Sequence, residues 1–302
     1  MDEAIRRHFG KRIASRSRLT GGYVFDVWLL ELEDGQKVVF RAREDFRTGG
    51  GRMIDVTGVF ERERFFYGSV NKRLGRTCPE VYVVDGTRSL YRAPFQVSEY
   101  MEGIPLNKCY EALGDGEMAR VRRRIGMIAG GVNGMAVAPD HPYIKERGEW
   151  GGFFARRLAE RLKPLVGVGQ ITEGEAGRIV DDASLLSAEQ SLSFIHLDIR
   201  YVNMIYGGGE LYLLDAENSE FGDPLFELAV LGMNGNLSPE FLEGYAEAYG
   251  WVPDMSAPFF KYYQMERAAL VLDLFLNVVK DDGAMTERFL KVFGALKLDL
   301  LN

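Results

Sequence analysis

A chain of 302 residues with 46% hydrophobic content can bury one sizeable core, or two modest cores joined by a hinge. Its 27% of charged residues are spread along the chain, which argues against wholesale disorder, and a formal net charge of −7 does not favour non-specific binding to nucleic acid. Two cysteines, Cys78 and Cys109, form neither a disulfide framework nor a zinc-ligand spacing, so reduced thiols in a cytoplasmic protein are expected.

The charge is unevenly divided. Residues 1–100 carry 18 Lys and Arg against 14 Asp and Glu, a net of +4, and residues 101–302 carry 19 against 30, a net of −11. A mildly basic first third suits phosphates and an acidic remainder suits a cationic partner. Ordinary variation in surface charge explains the split equally well. No apolar core marks the N-terminus as a leader. The most apolar helix-like stretch, Ala268–Val279, is broken by Asp273 and Asn277, and no membrane partner is expected.

In chain order, Ile5, Phe9 and Ile13 at i, i+4 and i+8 predict a short first helix. Val24–Glu33 and Lys37–Ala42 predict a hairpin turned by Asp34 and Gly35. The Gly-rich segment 47–58 reads as a loop, either a plain insertion or an active-site lid. A helix is expected over Val59–Leu74, with strands at Pro79–Val84 and Phe95–Tyr100. The remainder reads as helical at 117–135, 152–166, 173–187, 238–249, 257–280 and 284–296, interrupted by short strands at 194–196, 203–206 and 211–215. A sheet lobe followed by a helical lobe predicts a cleft between them for a ligand.

The β-rich island carries the chemistry. His196, Leu197, Asp198, Ile199, Arg200, Tyr201, Val202 and Asn203 run consecutively, and Asp215 closes the strand that follows. An Asp and an Asn five apart on a loop can aim both side chains into one site, where a second Asp at a strand end can join them. Phosphoryl transfer needs that combination: one carboxylate to orient the acceptor hydroxyl and take its proton, and an amide oxygen with another carboxylate to hold Mg²⁺. Taken alone, Asp198 and Asn203 are also ordinary turn and cap residues. On the helix over 257–280, Glu266, Asp273 and Asn277 fall within about 40° of one another. This polar stripe on an otherwise apolar helix either faces solvent or lines an acceptor pocket.

The ordered set His196-x-Asp198-x-x-x-x-Asn203, then Leu213-Leu214-Asp215, then Gly222-Asp223-Pro224 resembles the aminoglycoside phosphotransferase family, which includes choline kinase-like and other protein-kinase-like enzymes. The resemblance covers nearly the whole chain. Ser98–Leu106 is similar to the family's interlobe hinge, Arg62–Phe66 to its helix-C glutamate segment, and Gly21-Gly22-Tyr23 to its phosphate-covering loop. It implies an α+β, two-lobed protein-kinase-like fold, with a small antiparallel-sheet N-lobe (1–98), a hinge (99–106) and a larger helical C-lobe (107–302). It implies an enzyme that uses ATP or GTP with Mg²⁺ to phosphorylate a hydroxyl of a small molecule. That acceptor could be an aminoglycoside-type antibiotic, with resistance as the outcome. The alternatives are choline, an amino sugar or a similar alcohol, and, from another class, a pseudokinase that binds nucleotide without turnover.

By the same resemblance, Asp198 is the catalytic base and Asn203 and Asp215 are Mg²⁺ ligands. Gly21 and Gly22 cover the phosphates. Glu63 pairs with the basic residue of the third strand, with Glu61 as its rival, and Glu99, Tyr100 and Met101 form the adenine hinge. Glu266, Asp273 and Asn277 are candidates for a cationic acceptor, since relatives bind substrate amines with carboxylates of their C-terminal helices. Four departures stand out. Arg41 replaces the usual strand lysine, with Arg43 two residues on. Leu197 replaces the middle glycine of the loop. Glu227 replaces an aspartate expected to anchor a helix. Val132 and Asn133 occupy the place of a Leu-His pair. They suggest a divergent branch with its own acceptor.

Overall fold

In the computed structural model, which describes residues 1–19, 25–47, 53–136, 149–185, 192–279 and 283–302, the first hundred residues build a five-stranded antiparallel sheet and a separate two-stranded one. Helix α1 (Asp2–Phe9) ends at Gly10, whose φ of 66° is the left-handed conformation that glycine adopts without a Cβ clash. Ile13 therefore opens strand β1 (Ile13–Arg18) instead of continuing the helix. Strands β2 (Asp26–Leu32) and β3 (Lys37–Ala42) form the hairpin expected from Asp34 and Gly35. After the short strands β4 (Phe46–Arg47) and β5 (Met53–Ile54) comes helix α2, Val56–Leu74, which starts before the expected Val59. Strands β6 (Val81–Asp85) and β7 (Phe95–Glu99) complete a sheet ordered β1-β2-β3-β7-β6.

The period of two along β3 sorts its residues. Val38, Phe40 and Ala42 are buried with Ile5, Leu30, Phe95 and Val97 in one core. Val39 and Arg41 point to the other face. Burial of one face fixes the register, pairing Arg41 with Gln96 and Val38 with Glu99.

The island at 193–215 divides between two sheets. Strands β10 (Met204–Gly207) and β11 (Glu210–Leu213) form a hairpin that also pairs with β8 (Ile104–Pro105). Strand β9 (Ser193–Ile195) pairs instead with β12 (Glu220–Gly222). The chain accordingly forms two compact units. One contains Met1–Thr48, Met53–Val121 and Asp198–Ser219, and the other contains Arg122–Leu197 and Glu220–Asn302.

The second unit is helical. Short helix α3 (Leu106–Cys109) lies in the first unit and helix α4 (Asp115–Asn133) begins there; helices α5 (Trp150–Gly167), α6 (Glu173–Ser184), α7 (Pro224–Met233), α8 (Pro239–Tyr249), α9 (Phe259–Asp273) and α10 (Ala284–Leu301) follow. Phe154, Leu158, Phe226, Tyr263, Leu272 and Phe293 lie at the centre of its core. The Asp223 carboxylate caps α7 by accepting from the Leu225 N–H at 2.9 Å, and it also accepts from the Tyr263 hydroxyl at 2.9 Å. Helices α4 and α8 touch backbone to backbone: a Cβ added at Gly126 would lie 2.0 Å from the Phe241 carbonyl oxygen, and one at Gly244 2.0 Å from that of Arg123. Past Asp273, α9 widens into a π-helix over Leu274–Val279. Among the described residues, no helix is long and apolar enough to cross a membrane.

Candidate active site

The side chains that gather around the candidate site belong to the first unit. Arg41 leaves β3 on the face opposite the α1 core, and α2 brings Glu63 to meet it. The Arg41 Nη1 donates to both Glu63 oxygens at 2.9 and 2.7 Å, and its Nη2 lies 3.7 Å from Asp215 Oδ1. The guanidinium lies 4.7 and 5.7 Å from the ring centres of Phe25 and Phe60, close enough for cation–π attraction. Arg43 stands just past the strand, its guanidinium 3.9 Å from the Phe46 ring.

Glu63 is fully buried. Besides Arg41 it accepts from the Tyr67 hydroxyl at 2.8 Å and from the Ala216 N–H at 3.2 Å. Tyr67 in turn accepts from the Asp215 N–H at 2.7 Å. The expected ion pair is thus tied through Tyr67 to the backbone of Asp215. Burial alone would raise the Glu63 pKa, but Arg41 and these hydrogen bonds outweigh it and hold the carboxyl below its ordinary range. Burial alone would lower that of Arg41, and the Glu63 and Asp215 carboxylates more than offset this.

Asp198 follows Leu197, a left-handed residue at φ 62°, and its carboxylate is closely held. Arg200 forks onto it through Nε at 2.6 Å and Nη2 at 2.8 Å, and Asn203 Nδ2 donates to Oδ2 at 2.7 Å and to the Asp198 carbonyl at 3.0 Å. With its nitrogen on Asp198, the Asn203 amide directs Oδ1 away from it. The Leu214 N–H donates to the Asn203 carbonyl at 2.8 Å, joining the loop to the strand that delivers Asp215. At its start the loop is held by Glu227, whose carboxylate accepts from the backbone N–H groups of His196 and Leu197.

A cavity of about 310 Å³ is lined by Phe25, Val27, Val39, Ile205 and Leu214 on its apolar walls, by Ser98, Glu99, Tyr100 and Met101, and by Arg41, Asn203, Asp215 and Glu217 at its polar end. Glu99 is itself fixed, accepting from Arg76 and from the Glu80 N–H. Burial first, then the neighbouring carboxylates, raise the Asp215 pKa to about 6 against the pull of Arg41, and raise Glu217 to about 7. Such a pair favours a proton or another cation. Among the described residues, no group of three or more His, Cys, Asp or Glu forms a ready metal cage. The donor set nevertheless fits Mg²⁺, a hard cation that keeps waters and phosphate oxygens among its ligands and needs one or two carboxylates from the protein.

Gly21 and Gly22 lie outside the described residues. Arg41, Asn203, Asp215 and Glu99–Met101 come together around the cavity, with Glu63 behind Arg41 and Asp198 beside Asn203. The acceptor stripe fares differently. Glu266 is buried in the second unit, where its Oε1 accepts from Arg157 Nε at 2.7 Å and Arg161 Nε at 3.0 Å. Its carboxylate is committed to two guanidiniums and is not on offer to a substrate amine. Asp273 and Asn277 are half-buried and bonded to each other at 2.6 Å where α9 widens. Sequence reasoning missed Tyr67, Arg200 and Glu217, although Tyr67 stands at i+4 from Glu63, and Arg200 and Glu217 each follow a chosen aspartate by two.

An antiparallel-sheet N-terminal part and a helical C-terminal part define a kinase-like fold, and solved structures share it along the whole chain. A thermostable mutant of aminoglycoside phosphotransferase APH(4)-Ia, solved in ternary complex with AMP-PNP and hygromycin B, superposes with a TM-score of 0.64 at 14% identity over 99% of this chain and 98% of that one. Choline kinase LicA from Streptococcus pneumoniae gives 0.63 at 16% identity over 98% and 96%. ADP-bound aminoglycoside phosphotransferase APH(2'')-Ib gives 0.61 at 14% identity over 98% and 95%. No curated protein matches the sequence. The sequence model of the phosphotransferase enzyme family, APH, matches residues 15–259, and the chain belongs to that family.

Proposed function

We propose that this phosphotransferase moves the terminal phosphoryl group of a Mg²⁺-bound ATP or GTP onto a hydroxyl of a small molecule. The observation that carries the reading is one cavity whose apolar walls and hinge segment suit a nucleobase and whose polar end gathers Arg41, Asn203 and Asp215. Glu99–Met101 would receive the base, and Arg41, held by Glu63 and lying beside two rings, would turn Nη2 to phosphate oxygens. Asn203 Oδ1 and the Asp215 carboxylate would hold Mg²⁺, which neutralises charge on the phosphates. Asp198 would accept the proton of the acceptor hydroxyl. The acceptor oxygen then bonds to the γ-phosphorus, the bond from that phosphorus to the bridging oxygen breaks, and the nucleoside diphosphate leaves with the electron pair.

The acidic balance after residue 100 supports a cationic acceptor, with Asp273 and Asn277 as its partners. An aminoglycoside-type antibiotic is the first class to test, and choline or an amino sugar the second. The experiment is nucleoside diphosphate release from MgATP and MgGTP across hygromycin B, other aminoglycosides, choline and amino sugars. Stimulation by one class identifies the acceptor. Nucleotide binding with no turnover on any of them would replace this reading with a pseudokinase.

A further inference from the structure

Asp198 is assigned to take a proton, yet its carboxylate is occupied. Arg200 covers both oxygens with a two-point fork, and Asn203 adds a third donor to Oδ2. The Arg200 side chain is 44% exposed while that of Asp198 is 5% exposed, so the cation is the partner free to move. A carboxylate covered in this way cannot also accept from a substrate hydroxyl along the same directions. The other cation facing Asp215, Arg41, has no such freedom, being held by Glu63 and two aromatic rings.

Arg200 also feels the carboxylates of Asp215 and Glu217, the acidic residues of the cavity's polar end. A terminal phosphate arriving there brings new anionic oxygens in the geometry a guanidinium fork prefers. We propose that Arg200 is an exchangeable cap on Asp198, leaving the base and passing to the terminal phosphate when a triphosphate binds. The base is thereby released only when a phosphoryl group is present to transfer. This rests on the nucleotide site proposed above and adds a residue that couples its loading to the readiness of the base.

The exchange makes Asp198 and the terminal phosphate competitors for one cation, and a binding cycle reads that competition directly. Titration of the full chain with MgATP and MgADP is compared for the parent, Arg200→Ala, Asp198→Asn and the double variant. Arg200→Ala should weaken MgATP by about 10-fold or more, the loss of a charge-assisted hydrogen bond, while MgADP is unchanged. Arg200→Lys should restore part of the MgATP preference, because the charge remains and the fork does not. Asp198→Asn should tighten MgATP when Arg200 is present and have no such effect in the Arg200→Ala background. Equal tightening in both backgrounds would mean simple relief of repulsion between Asp198 and phosphate, and would overturn the exchange. So would an Arg200→Ala protein that keeps the full parental preference for MgATP, or one that loses MgATP and MgADP alike. A parent that binds neither nucleotide would instead remove the nucleotide site itself.

Discussion

Arg41 meets Glu63 through a single terminal nitrogen, Nη1, which lies 2.9 and 2.7 Å from the two carboxylate oxygens. The second terminal nitrogen is left on the side of Asp215. Removing the arginine leaves a fully buried carboxylate without its countercharge, so Arg41→Ala should destabilise the protein by about 3–5 kcal/mol in denaturant titration. An Arg41→Met, Glu63→Leu double variant should recover much of that stability but not nucleotide binding. In steady-state kinetics, Arg41→Ala should raise the nucleotide KM more than the acceptor KM. An unchanged nucleotide KM there, with a raised one in Arg43→Ala, would transfer the phosphate role to Arg43.

The base role proposed for Asp198 predicts a separation of binding from turnover. Asp198→Asn should still be stabilised by Mg²⁺-nucleotide in thermal melts but lose at least about 10²-fold in turnover. Near-normal turnover would take Asp198 out of that role.

Asp215 and Glu217 set a pH dependence whose sign follows from burial. Their folded pKa values, about 6 and about 7, lie above ordinary values of 3.8 and 4.5. The folded protein therefore binds more protons between those limits, and stability from these groups is full below about pH 4 and declines as pH rises through 7. With 39% of the Asp215 side chain still open, solvent tempers the size of the effect. A Mg²⁺ ion held there as proposed would displace those protons, so the melting shift produced by Mg²⁺-nucleotide should be larger at pH 8 than at pH 5.5. Glu217→Gln should flatten the difference. A shift independent of pH in the parent would mean that neither carboxylate receives the cation.

The polar stripe of α9 should split into two behaviours. Glu266→Gln breaks a buried cluster with Arg157 and Arg161 and should cost about 3–5 kcal/mol of stability. Asp273→Asn should leave stability and nucleotide binding alone and raise the KM of a cationic acceptor. That KM should also climb with ionic strength more steeply than the nucleotide KM, since salt screens charges over about 10 Å at 0.1 M. A salt-independent acceptor KM with an innocuous Asp273→Asn would point to a neutral sugar or alcohol.

How much of this was legible in the sequence depends on the range of each signal. The β2–β3 hairpin and the spacing of Asp198, Asn203 and Asp215 are local patterns, and the structure keeps them together. The partition of the β-island between two sheets is not local: Ile104–Pro105 and Glu220–Gly222 are too short to announce themselves as strands. Period alone placed Glu266 with Asp273 and Asn277, but only the packing of α5 against α9 reveals the two arginines that claim it. The substitution of Leu197 for glycine has a two-sided explanation. Its φ of 62° costs a leucine about 1 kcal/mol, and its almost complete burial contributes roughly 2 kcal/mol in return.

The contact of α4 with α8 bears on how such a protein can be evolved in the laboratory. Where a Cβ would fall 2.0 Å from a carbonyl oxygen of the facing helix, no side chain can be accommodated by a rotamer change, because the obstacle is backbone. In a random library selected for a new acceptor, survivors would therefore be expected to retain glycine at 126 and 244 whatever compound was offered. Diversity would accumulate at half-buried positions such as Asp273 and Asn277. The two helices form a chassis that selection for chemistry leaves untouched, and mutagenesis effort is better concentrated elsewhere.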